Sequence, residues 1–105
     1  MKFEAYVTYP DGKVKRVKNL GYMLRNWSSI EDIHVMDFVS EQDDNTRPRF
    51  VDAFMSVDFT DGRNYTTGFM DKGILCRFLD RPVFRGLTVN WYGEDIVIEK
   101  GFGNG

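Results

Sequence analysis

The chain has 105 residues, a formal net charge of −2 at neutral pH and an aromatic content of 15%. This length suits one domain with its own core, the composition excludes a disordered chain, and the charge is too small to indicate nucleic acid or membrane by itself. The single cysteine excludes an internal disulfide, and no run approaches the roughly 20 apolar residues of a membrane helix. We therefore predict one cytoplasmic domain over residues 1–105 with no membrane partner.

The first part of the chain predicts two strands, a short helix and a third strand. Residues 2–9 alternate apolar and polar side chains, which is the period of a strand with one buried face. Residues 10–12 read Pro-Asp-Gly, the chemistry of a hairpin loop, so residues 13–18 should return as a second strand. Apolar side chains then recur at helical spacing over residues 20–27, and a third strand is expected at 33–40.

An acidic linker at residues 41–49 contains no apolar side chain, so an exposed loop is expected there. The elements predicted after it are strands at 50–59 and 63–69, a helix at 72–79, and strands at 87–92 and 96–100. Asp71 is a suitable N-cap for this helix, because its carboxylate can accept a bond from a free amide of the first turn. The glycine-rich tail at 101–105 is expected to fray.

The two parts share one pattern, which predicts a duplicated ββαβ unit. The unit occupies residues 1–41 and recurs over residues 50–100. Expected equivalent positions are Gly12 with Gly62 and Trp27 with Phe78. This alignment makes Trp27 a buried anchor of the core. The predicted fold class is α+β: a curved antiparallel sheet of about seven strands with two short helices on one face.

The sheet face opposite the helices should carry large apolar side chains beside small polar ones. The side chains predicted to bind a partner there are Tyr6, Met36, Phe38, Phe54 and Tyr92. A contiguous exposed apolar patch is commonly an interface. We therefore expect this face to bind another protein, or a second copy of the chain in a homodimer.

A basic second strand indicates a different partner. Its cations are Lys13, Lys15, Arg16 and Lys18. Cations beside aromatic platforms are how sheets bind single-stranded nucleic acid, so this activity is the alternative function. The same alternation of charge also suits an edge strand that is protected against aggregation.

No catalytic or metal-binding set is predicted. His34 and Asp32 could act as a general base, but no nucleophile is near, so a surface histidine is expected. Cys76 lies in the middle of a helix, which favours a half-buried thiol, and one histidine with one cysteine cannot close a zinc site. We expect no metal, no cofactor and no enzymatic activity. The predicted class is a small accessory or inhibitor protein, of the kind that phages and mobile elements encode.

Overall fold

A computed structural model describes residues 5–17, 21–37, 53–69 and 71–103 of the chain. These residues form a mixed α+β fold with seven strands and two helices. The strands are β1 (Ala5–Thr8), β2 (Val14–Val17), β3 (Ile30–Asp37), β4 (Ala53–Phe59), β5 (Asn64–Phe69), β6 (Thr88–Trp91) and β7 (Glu94–Val97). The helices are α1 (Gly21–Arg25) and α2 (Lys72–Leu79), and each is followed by a short 3-10 turn, at Trp27–Ser29 and Pro82–Phe84. The predicted linker lies outside the described residues.

All seven strands belong to one open sheet in the order β2-β1-β5-β4-β3-β6-β7. Neighbouring strands are antiparallel, as predicted, except for β3 and β6. That pair is parallel, with Ile33 opposite Val89 and Val35 opposite Trp91. This one pair departs from the predicted antiparallel sheet because α2 is a crossover helix. It carries the chain from β5 to β6, and a helical crossover returns a strand in the same direction.

The two hairpin loops agree with the prediction and with each other. Gly12 and Gly62 have φ angles of 88° and 91°, in the left-handed region that favours glycine. In both loops the preceding aspartate accepts a bond from the amide of the residue after glycine, at 3.0 Å and 3.1 Å. The same local chemistry therefore closes the β1–β2 and β4–β5 hairpins.

The helical parts of the two units are not equivalent. Trp27 is 47% exposed in a 3-10 turn, whereas Phe78 is 5% exposed in α2. The prediction of Trp27 as a buried anchor is wrong because α1 ends before it. The backbone amide and the side-chain nitrogen of Asn26 both donate to the Tyr22 carbonyl oxygen, at 3.1 Å and 2.8 Å. These two hydrogen bonds cap the C-terminal end of α1. The duplicated unit and the curvature of the sheet stay predictions.

The core lies between the helices and one face of the sheet. Alternate side chains of β4 are buried, as the sequence predicted: Ala53, Met55, Val57 and Phe59. On the same face of β5, Tyr65 stacks on Tyr22 of α1 with ring centroids 5.9 Å apart. Phe69 contacts Phe78 of α2 at 6.1 Å. Both helices therefore cover this one face.

The start of the C-terminal tail is docked on α2, and the prediction of a frayed tail is wrong as far as Gly103. The carboxylate of Asp80, at the end of α2, accepts bonds from the amides of Gly101 and Phe102 at 2.7 Å and 3.1 Å. The ring of Phe102 also meets Trp91 edge-on at 5.6 Å. One acceptor and one aromatic anchor thus hold a segment that looked flexible because of its glycines.

Replacing Asp80 with alanine is expected to lower the free energy of unfolding by about 1–3 kcal/mol, because two amides lose their acceptor. Urea denaturation followed by circular dichroism measures this loss. The matched control is Asp80→Asn, which keeps one acceptor oxygen and should retain most of the stability. Equal losses in the two variants would contradict the role assigned to this oxygen.

Candidate functional site

The uncovered face is the side of the sheet that points away from both described helices. It is built by the side chains that alternate with the core. Its members on β2, β1 and β5 are Val14, Arg16, Tyr6, Thr8, Asn64 and Thr66. Its members on β4 and β3 are Phe54, Ser56, Asp58, Asp32, His34 and Met36, and those on β6 and β7 are Thr88, Asn90, Asp95 and Val97.

Three of the five predicted partner-binding residues lie on this face. Met36 of β3 is directly opposite Phe54 of β4, and Tyr6 lies on β1. Tyr6 and Met36 are 38% and 42% exposed, and Phe54 is half-buried. Phe38 lies outside the described residues. The uncovered face therefore presents apolar side chains on several strands, although Tyr6 is separated from the other two by β5.

Tyr92 is not on the uncovered face, and its predicted position is wrong. Its ring lies beneath the Lys72 ammonium of α2, with the nitrogen 4.6 Å from the ring centroid. It also meets Trp91 edge-on at 5.3 Å. The cause is a φ angle of 52° at Tyr92, just after β6 ends, which breaks the alternation of side chains along the strand. The ring is therefore on the helix side.

Exposed hydrophobic side chains are concentrated on the uncovered face. Among the described residues, five large ones are exposed, and all but Trp27 are on this face: Tyr6, Val14, Met36 and Val97. Val14 and Val97 are 63% and 51% exposed on the two edge strands, β2 and β7. These two valines were not among the predicted partner-binding residues. Strict alternation within their strands was the signal that could have placed them.

The centre of the uncovered face is polar and acidic. Asp32 of β3 is directly opposite Asp58 of β4, and His34 Nε2 is 3.8 Å from Asp58 Oδ2. The side-chain nitrogen of Asn64 donates to Asp58 Oδ1 at 2.8 Å and to Ser56 Oγ at 3.0 Å. The sequence paired His34 only with Asp32, because Asp58 reaches this cluster through a strand register that sequence does not reveal.

The predicted nucleic-acid-binding cations do not gather on one face. Lys15 points to the helix side of β2, whereas Arg16 is on the uncovered face. Lys13 lies at the end of the hairpin loop, with its ammonium 3.9 Å from the carboxylate of Asp11. Lys18 lies outside the described residues. Alternation along β2 therefore puts Lys15 and Arg16 on opposite faces of the sheet. A phosphate backbone would need such cations on the same face.

A cleft of about 650 Å³ opens on the helix side, between α2 and the docked tail. The residues that line it are Lys72, Gly73, Cys76, Arg77, Trp91, Ile96, Phe102 and Gly103. Cys76 is half-buried here, as predicted, and burial raises the pKa of its thiol. A raised pKa keeps the thiol protonated at neutral pH, which is unlike a nucleophilic cysteine.

Known proteins supply no assignment for these surfaces. Comparison with protein-family models, curated proteins and solved structures finds no match to this chain. Among the residues described above, no helix has both the length and the apolar character needed to cross a bilayer. The chemistry of the uncovered face is therefore the guide to function.

Proposed function

We propose that the protein is a non-enzymatic accessory or inhibitor protein that binds another protein through the uncovered face. The supporting observation is that four of the five large exposed hydrophobic side chains in the described residues share this face. Apolar surface left in water forgoes about 25 cal/mol per Å² of burial, so a flat partner gains free energy by covering it. These four side chains lie on four different strands, so the proposed partner spans the face in order to cover them.

The charge of the face favours a partner that differs from the chain itself. Asp32, Asp58 and Asp95 face outward on its central and β7 strands, whereas Arg16 lies on the opposite edge strand. Two copies placed face to face about the centre would bring their carboxylates together, which costs free energy. The proposed partner is therefore a protein with an apolar surface and basic side chains opposite the acidic centre. A phosphate backbone is repelled by the same centre.

The first experiment is a native-mass measurement of the purified chain, with and without a single-stranded oligonucleotide, at two salt concentrations. A monomer that ignores the oligonucleotide supports the proposal. A complex that weakens steeply with salt would instead establish nucleic-acid binding. A dimer whose mass falls to that of a monomer in Met36→Glu would show that the face serves self-association.

Replacing Met36 with glutamate is expected to weaken partner binding at least about tenfold, since a charge would enter the apolar part of the interface without a counter-charge. The matched control is Trp27→Glu. Among the described residues, Trp27 is the one large exposed hydrophobic side chain that is not on the uncovered face. The partner is captured from cells, purified, and titrated with each variant by calorimetry. Equal affinities of Met36→Glu and Trp27→Glu would place the contact elsewhere.

A further inference from the structure

We propose that Asp32, His34 and Asp58 form a binding site for a divalent transition-metal ion, best matched by zinc. Each residue offers one ligand atom, and the three atoms lie within 4.8 Å of one another. Asp32 and His34 share a face because they alternate along β3, and Asp58 joins them from β4. The sequence predicted no zinc site, because one histidine and one cysteine cannot close one, and it did not bring Asp58 to this cluster.

The spacing between two of the three ligand atoms is close to that of a tetrahedral site. Zinc binds nitrogen and oxygen at about 2.0–2.1 Å, which places two ligand atoms roughly 3.3–3.4 Å apart. His34 Nε2 and Asp58 Oδ2 are 3.8 Å apart. A small rotation of side chains that are 39% and 46% exposed closes this difference without moving either strand.

The pairing of two carboxylates is an independent reason to expect a cation. Asp32 and Asp58 are directly opposite each other on antiparallel strands. Like charges in such a cross-strand pair are destabilising. A divalent ion held between the two carboxylates balances both negative charges. Metal binding therefore turns a repulsive pair of side chains into a stabilising one.

One of the three ligands is already held in orientation. Asn64 donates to Asp58 Oδ1 at 2.8 Å, and the same amide nitrogen is 3.0 Å from Ser56 Oγ and 3.2 Å from the Val57 carbonyl oxygen. This bond occupies one carboxylate oxygen and leaves Oδ2 facing His34. Hydrogen bonds of this kind orient the ligands of protein metal sites and strengthen metal affinity.

The donor set selects the class of ion. Calcium and magnesium prefer coordination by oxygen alone, whereas an imidazole nitrogen with two carboxylates suits zinc and its neighbours in the transition series. Three protein ligands leave at least one coordination position for water or for another donor. Because the site lies on the exposed side of the sheet, ions reach it directly from solvent.

The test is calorimetric titration of the full, tag-free chain with zinc chloride after removal of metals by a chelator. One zinc ion per chain is expected, with at least tenfold weaker binding in His34→Ala and in Asp58→Asn. The matched controls are Asp95→Asn, a carboxylate of the same face outside the cluster, and Cys76→Ala. Both should bind zinc like the parent chain. Magnesium chloride should give no comparable binding.

Thermal unfolding supplies a second readout, since an ion that binds only the folded chain raises its midpoint. Zinc should raise the midpoint of the parent chain and of Asp95→Asn, but not that of His34→Ala. The proposal is overturned if the parent chain binds no zinc, if His34→Ala and Asp58→Asn both bind as well as the parent, or if Cys76→Ala abolishes binding. These measurements need no protein partner, so their failure is separate from failure of the proposed function.

Discussion

Replacing Phe78 with alanine is expected to lower the free energy of unfolding by about 3–5 kcal/mol, the usual cost of deleting a buried phenyl ring. Phe78 is 5% exposed, and its ring contacts Phe69 at 6.1 Å and Phe84 at 5.3 Å, measured between centroids. The substitution therefore leaves a cavity between α2, the sheet and the turn that follows the helix. Urea denaturation followed by circular dichroism measures the loss.

The matched control for this prediction is Trp27→Ala. Trp27 was expected to be the equivalent of Phe78, but its side chain is 47% exposed, so its loss should cost less than about 1 kcal/mol. Circular dichroism suits the comparison because the control removes a tryptophan fluorophore. Similar losses of unfolding free energy in Phe78→Ala and Trp27→Ala would contradict the different burial of the two rings. Such a result would support the predicted equivalence of Trp27 and Phe78 in a duplicated unit.

Replacing Arg63 with alanine is expected to cost about 2–4 kcal/mol, through lost hydrogen bonds of a charged group and lost contact with aromatic rings. Its Nη1 donates to the Tyr22 hydroxyl at 2.5 Å and to Asn26 Oδ1 at 3.2 Å. The guanidinium also lies 4.9 Å from the centre of the Phe59 ring. Arg63 thereby fastens the five-residue helix α1 to the β4–β5 hairpin.

Two variants make the Arg63 experiment specific. Lys13 holds the corresponding place in the first hairpin, but its side chain is 85% exposed, so Lys13→Ala should change the free energy of unfolding by less than about 0.5 kcal/mol. Arg63→Lys keeps the charge but lacks the planar fork, so it should recover less than half of the loss. Full recovery with lysine would show that charge alone fastens α1.

Local features of the fold were predictable because they depend on neighbouring residues. The alternation over residues 53–59 predicted the buried face of β4, and glycine predicted the left-handed position of each hairpin loop. Asp71 was predicted to cap α2, and its Oδ1 accepts a bond from the Ile74 amide at 2.7 Å. Each of these features is set within a few residues of chain.

Features that depend on distant parts of the chain were not predictable. The parallel β3–β6 pair follows from the path of α2 across the sheet. Tyr92 is a different case, because the error there was local: β6 ends at Trp91, one residue earlier than predicted, and Tyr92 lies in the turn. The candidate metal cluster needed the register that sets Asp32 opposite Asp58. Alternation placed Tyr6, Met36 and Phe54 on the correct face, but it gave no account of that face's acidic centre.

The strand order has a consequence for how the chain folds. In the completed sheet the first hairpin is joined through β1 to β5, with Ala5 opposite Thr67, and β3 is flanked by β4 and β6. Apart from the pairing of β1 with β2, the described strands of the first half therefore pair only with strands from later in the sequence. Long loops must close before these pairings stabilise the chain, which slows folding. During synthesis, only the first hairpin among the described strands can therefore pair before the second half of the chain is made.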